Sequence, residues 1–173
     1  MKNIFLTGMP GAGKSYWGKK IAAHFAIPFW DLDEYIASQL SQPVEELIQI
    51  HGEAYFREKE TYYLQQLIRE QKPPFICSTG GGTPLAIANR ELMRQQGIIV
   101  YLAAQIDTLH AHLEKDQKIR PILTQENSNL KNSLIYLYAK RVFAYQDADY
   151  VLQVETLTLT DVEKIMQRCI NQL

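Results

Sequence analysis

The chain has 173 residues, 46% of them hydrophobic, and its 18 Lys and Arg against 19 Asp and Glu leave a formal net charge of −1. That length suits one domain with its own core, and the near-neutral balance supplies no global field for nucleic acid or an acidic membrane, so any anion site must be built from individual cations. The two cysteines, Cys77 and Cys169, are far apart and lack metal-ligand spacing, which argues against a disulfide framework or zinc site and fits a reducing cytosol. The N-terminal apolar run is broken by Thr7, Gly8 and Pro10, too short for a signal peptide, and no later segment reads as a membrane span.

Residues 2–7 read as a short apolar strand that runs into Gly8-Met9-Pro10-Gly11-Ala12-Gly13-Lys14-Ser15. Trp17, Ile21, Ala22 and Phe25 then recur at helical spacing until Pro28. Strand, GxxxxGK[ST] loop and helix in that order make a phosphate-binding loop. Its glycines let backbone N–H groups form a nest for the α/β-phosphates, Lys14 reaches the β/γ-phosphates, and the Ser15 hydroxyl can ligate Mg²⁺. The chemistry therefore starts from a nucleoside triphosphate.

A second strand is expected over 27–30, ending at Asp31-Leu32-Asp33, with a helix over 34–40. Two positions apart at one strand end, the aspartates would point to one side, one serving the Mg²⁺ shell and the other a substrate hydroxyl; alternatively one of them only caps the helix. Helices over 44–50 and 54–69 should part near Gly52. On the second, Arg57 has Glu53 and Glu60 a turn to either side, and helical spacing alone reads it as a surface ion-pair residue. Pro73-Pro74 ends this region. Residues 75–78 look like a buried strand feeding Thr79-Gly80-Gly81-Gly82-Thr83-Pro84, where three glycines admit close approach of backbone N–H groups to an oxygen-rich ligand or serve a tight turn.

A helix over 85–95, a buried strand over 98–102 and a helix over 106–113 follow. The polar segment 114–129, with Arg120-Pro121, is the expected mobile lid, from which Arg120 could reach a transferring phosphoryl group; the plainer reading is a solvated arginine. A helix over 130–143, a strand over 150–154 and a helix over 159–170 close the chain. Such alternation predicts a parallel sheet wrapped on both faces, with ligands at the carboxyl ends of its strands.

Taken together, Gly8 to Ser15, Asp31-Leu32-Asp33, Gly52-Glu53 with Phe56-Arg57, Thr79-Gly80-Gly81-Gly82 and Arg120-Pro121-Ile122-Leu123 resemble the shikimate kinase family in identity and order over nearly the whole chain. The resemblance implies an α/β, three-layer α/β/α P-loop kinase fold with a five-stranded parallel sheet, a helical substrate-binding region over about 31–62 and a lid over about 114–129, all in one kinase domain spanning 1–173. It implies transfer of the ATP γ-phosphoryl group to the 3-hydroxyl of shikimate, with ATP and Mg²⁺ required. By the same likeness Lys14, Asp33 and Arg120 are catalytic, and Asp33 holds the substrate hydroxyls and serves as base. Asp31 supports Mg²⁺ through water beside Ser15. Gly11, Ala12, Gly13, Lys14, Ser15, Tyr16, Arg120 and His112 meet the nucleotide. Arg57 and Arg141 grip the substrate carboxylate, and Gly80, Gly81 and Gly82 supply backbone contacts.

Two positions depart from the family pattern. His112 stands where relatives carry an adenine-packing arginine, so a ring can stack there without a fixed charge. Arg141 is followed by Val142, Phe143, Ala144 and Tyr145, which keeps the family's tyrosine spacing and loses its proline. A gluconate kinase of similar fold and a P-loop regulatory module without transfer activity are the competing readings; a nucleic-acid kinase is disfavoured by the missing basic stripe. A cytoplasmic monomer with a small-molecule substrate, no nucleic acid and no membrane partner is expected.

Overall fold

The computed structural model describes residues 2–115 and 129–171. Within them the chain forms β1 (Asn3–Thr7), α1 (Lys14–Phe25), β2 (Phe29–Asp31), α2 (Leu32–Leu40), α3 (Val44–Glu70), β3 (Ile76–Ser78), α4 (Ile87–Gln96), β4 (Gly97–Ala103), α5 (Ile106–Lys115), α6 (Leu130–Gln146), β5 (Tyr150–Gln153) and α7 (Leu159–Asn171). Short 3₁₀ turns lie at Thr83–Leu85 and Val154–Thr156. The strands form one parallel sheet in the order β2-β3-β1-β4-β5. Arg120 and most of the expected lid, residues 116–128, lie outside the described residues.

The sheet is buried on both faces because its central strands are apolar on both, as parallel sheets covered by helices require. Side chains alternate across a strand, so Ile4 and Leu6 of β1 and Ile98, Val100 and Leu102 of β4 pack with Trp17, Ile21, Leu109 and Leu134 on one side. Phe5, Cys77 and Ile99 pack on the other with Leu32, Ile36, Phe56, Leu64 and Leu67. Asn3 is buried at the opposite end of β1, where its side chain donates to the Gln96 carbonyl (3.0 Å) and accepts from the Phe75 N–H (3.1 Å). With that end closed, the carboxyl ends of β1, β2 and β3 carry the polar loops. The sheet order reverses beside β1 and β3, which is where a doubly wound sheet opens a ligand cleft.

Local rules account for most element boundaries. The Ile27 N–H is used to close α1 on the Ala22 carbonyl (3.0 Å), so β2 begins at Phe29 rather than at 27. Asp33 is not at a strand end beside Asp31: α2 starts at Leu32, capped by Asp31, and puts Asp33 in its first turn. The stretch after the glycines first makes a 3₁₀ turn before α4 begins at Ile87. Gly52 parts α3 as expected, with φ 84° and ψ 164° breaking an otherwise continuous run. Among the described residues no helix is long and apolar enough to cross a membrane.

The Gly52 conformation is close to one only glycine adopts, although a Cβ there would meet nothing within 4 Å. Gly52→Ala is therefore expected to cost about 1–3 kcal/mol through backbone strain alone, measured as the change in urea unfolding free energy. An unchanged midpoint would show that α3 straightens without penalty.

Candidate active site

The first wall of the cleft is the loop between β1 and α1. Gly8, Gly11 and Gly13 take positive φ there, and Gly13 begins α1 with no side-chain cap, leaving the first helical N–H groups facing the cleft. The Lys14 ammonium donates to the carbonyls of Gly8 (3.0 Å) and Met9 (3.1 Å) and so lies across the loop. Ala12 differs from its neighbours: its methyl is fully buried and its N–H donates to the Met9 carbonyl (3.2 Å). Tyr16 sits at the mouth, 64% exposed, and His112 donates from Nδ1 to the Gly11 carbonyl (2.8 Å), tying α5 to the phosphate loop.

Asp31 joins this wall to the next. Its Oδ1 accepts from the N–H groups of Asp33 (3.1 Å) and Glu34 (3.3 Å), while its Oδ2 accepts from the Ser15 hydroxyl, which also lies 3.3 Å from Ser78 Oγ. The cap and the bond from Ser15 thus fall to different oxygens of one carboxylate. Ser15 and Asp31 are hard oxygen donors placed together at the phosphate loop, a set that fits a magnesium ion, which keeps most of its waters and takes few protein ligands.

Asp33 is half-buried, and its Oδ1 is shielded from solvent without a hydrogen-bond partner. Burial, then the carboxylates of Glu60 and Asp31, pushes its acid up to about 7, against the opposing pull of Lys14 and Arg57. The same carboxyl group meets the glycine loop, where a Cβ on Gly80 would stand 2.9 Å from Asp33 Oδ1.

Arg57 makes the ion pairs that its spacing suggested and also faces the cleft. Its Nη1 donates to Glu60 (2.6 Å) and its Nη2 to Glu53 (2.8 Å). Burial works against its charge, yet Glu60 and Glu53 outweigh that and raise its pKa. A side chain on Gly82 would fall inside the Arg57 guanidinium, so the bare glycine is what lets Arg57 lie against the loop. Arg141, only 4% exposed, reaches the same loop from α6; a Cβ on Gly81 would stand 3.1 Å from its Nη1. Tyr145, one turn after Arg141 on α6, donates to the Gly81 carbonyl (2.5 Å) and ties the helix that carries Arg141 to the same loop.

These groups border one cavity of about 1180 Å³, with Lys14 and Ser15 on one wall, Asp33 and Arg57 on another, and Gly81 and Arg141 between. Sequence reasoning missed Glu60, Thr83 and Tyr145 as parts of the site. Glu60 carried a legible signal: it interrupts the apolar stripe Phe56, Leu64 and Leu67 on α3, and a glutamate there must be paired inside the fold.

A profile described as shikimate kinase matches residues 10–173. The chain is 33% identical over 174 residues to a shikimate kinase of Dictyoglomus turgidum, covering 99% of this chain and 96% of that one. It is 37% identical over 158 residues to one of Bacteroides thetaiotaomicron, covering 91% and 89%. Among solved structures, a shikimate kinase from Acinetobacter baumannii in complex with shikimate superposes with TM-score 0.86 at 30% identity, over 99% of this chain and 94% of that one. A gluconokinase from Sinorhizobium meliloti shares the fold alone, with TM-score 0.57 at 14% identity over 92% and 86%.

The raised Asp33 acid has a stability signature. Its unfolded carboxyl ionises near 3.8 and the folded one near 7, so between these values the native state keeps a proton that the unfolded chain has lost, and stability falls as pH rises. Asp33→Asn is expected to gain on the native protein progressively across that window, by at most about 4 kcal/mol, read from urea unfolding at several pH values. A difference that stays constant would show an ordinary carboxylate.

Proposed function

The chain belongs to the shikimate kinase family, ATP-dependent kinases that transfer the γ-phosphoryl group to the 3-hydroxyl of shikimate on the way to chorismate and the aromatic amino acids, and we propose that Arg57 and Arg141 grip the shikimate carboxylate while Asp33 takes its reacting hydroxyl. The observation that carries this assignment is two guanidinium groups set against one glycine loop, in the same cleft as the phosphate loop. A planar guanidinium matches a carboxylate through two parallel hydrogen bonds, and two of them select an acid over a neutral polyol. The crystallised Acinetobacter baumannii relative holds shikimate, which supports the same ligand here.

The phosphate loop aligns ATP, with backbone N–H groups at the α1 terminus and Lys14 meeting the triphosphate. The substrate hydroxyl oxygen then bonds to the γ-phosphorus as the bridge to the β-phosphate breaks, giving shikimate 3-phosphate and ADP. The hydroxyl proton passes to the Asp33 carboxylate, which is poised near neutrality to accept it. The transition state is loose, so alignment and charge neutralisation outweigh proton removal. A magnesium ion accompanying ATP would be held by Ser15 and, through water, by Asp31, and would neutralise charge on the β/γ-phosphates. Arg120, outside the described residues, is assigned by family resemblance to the same charge, His112 to the adenine and Tyr16 to the nucleotide. The working unit we assign is one domain with its substrate region over about 31–62 and lid over about 114–129, a cytoplasmic monomer without nucleic-acid or membrane partners.

The deciding assay is coupled ADP release with MgATP and shikimate, against gluconate and a no-acceptor control; turnover with gluconate alone would overturn the substrate assignment. Arg57→Lys keeps a positive charge for Glu60 and loses the planar fork, so it should raise the KM for shikimate about tenfold or more with the KM for ATP within about twofold. Equal shifts in both would sink the carboxylate role. Lys14→Ala should lower kcat by about two orders of magnitude or more while unfolding stays cooperative; a near-native rate would remove Lys14 from the phosphate site.

A further inference from the structure

Glu60 is 1% exposed, and each of its carboxylate oxygens has a separate donor. Oε2 accepts from Nη1 of Arg57 (2.6 Å), which borders the cleft. Oε1 accepts from the hydroxyl of Thr83 (2.5 Å), which is itself fully buried. Thr83 is fixed at both backbone ends: its N–H donates to the Gly80 carbonyl (3.2 Å), and its carbonyl accepts from Asn89 Nδ2 of α4 (3.0 Å). The hydroxyl therefore sits at a set place at the end of the glycine loop and meets a glutamate from the middle of a long helix. The fit is close all round, since a Cβ on Gly80 would collide with Glu60 Oε1 and stand 3.1 Å from Thr83 Oγ1.

We infer that Thr83 is a positioning residue for the acid grip: its hydroxyl orients the buried Glu60 carboxylate, and Glu60 in turn orients Arg57 toward the substrate. Threonine was not among the residues whose spacing or chemistry marked it, and it has no place in the transfer reaction itself. Its effect follows from the cost of a buried carboxylate oxygen without a donor. Without the hydroxyl, Glu60 must rotate toward another donor or take up a proton. Either change loosens the pair at Nη1 and leaves Arg57 to the exposed Glu53, which lies on the solvent side. The two donors to Glu60, Arg57 and Thr83, come from α3 and the end of the glycine loop, so the relay acts at the acid end of the cleft.

The inference rests on Arg57 being the carboxylate grip, so Arg57→Lys is measured in the same series. Steady-state kinetics of the full chain would compare the native enzyme with Thr83→Val, Thr83→Ala and Thr83→Ser. Val and Ala both remove the hydroxyl, and Ala guards against a misfolding Val variant by adding no new methyl contact. Both should raise the KM for shikimate about fivefold or more, with the KM for ATP within about twofold and kcat changed less than the KM. Ser restores the O–H and should bring the KM for shikimate back toward native, a rescue that a purely structural role for the threonine methyl would not produce. The inference is overturned if Val and Ala leave the KM for shikimate within about twofold of native, if both KM values move together, or if Ser is as impaired as Val. A shift in Arg57→Lys without one in Val or Ala removes only the Thr83 relay; no shift in Arg57→Lys removes the carboxylate reading beneath it.

Discussion

The two-sided use of the Asp31 carboxylate is the interaction on which the site's architecture depends. One oxygen caps α2 and the other accepts from Ser15 of the phosphate loop. A single rigid side chain thereby connects the triphosphate end of the cleft to the helix that carries Asp33. Because the cap determines where α2 begins, it also determines that Asp33 projects from the first helical turn rather than from the strand. Phosphoryl transfer needs acceptor and donor held in fixed relation, and the Asp31 carboxylate at the end of β2 joins the two walls of the cleft to which the proposed function assigns them.

The cleft concentrates opposing charges on partly and fully buried side chains. Asp31, Asp33 and Glu60 gather on one side, while Lys14, Arg57 and Arg141 approach them from three different elements. Burial, together with the nearby carboxylates of Glu60 and Asp31, raises the Asp33 acid to about 7, and Glu60 and Glu53 hold Arg57 charged. Glu60 thus acts on both the Asp33 carboxyl and the Arg57 guanidinium. Such networks are costly when partly satisfied and specific when complete, which is why the second donor on Glu60 carries functional weight.

Glycines make this crowding possible. At Gly80, Gly81 and Gly82 a side chain would meet Glu60, Arg141 or Arg57 respectively, so the bare loop leaves room for the glutamate and the two arginines at once. Tyr145 then fastens α6 to the same loop through the Gly81 carbonyl, which brings Arg141 to the cleft although its local motif differs from the family's.

Much of this was legible in the sequence because it follows from local rules. Strand, phosphate loop and helix, the break at Gly52 and the alternation that dictates a parallel sheet all depend on side-chain period and backbone freedom within a few residues. Asp31 and Arg57 were visible as candidates, but spacing could not say whether each was bland or functional; the structure shows the bland contacts, the cap at Asp31 and the ion pairs at Arg57, on side chains that also border the cleft. Only the tertiary structure could bring Glu60, Thr83 and Tyr145 into the site, since their partners lie 23 and 64 residues away along the chain. Burial and hydrogen-bond completion across distant segments are set by packing, and no local pattern of residues encodes which donor a buried carboxylate will find.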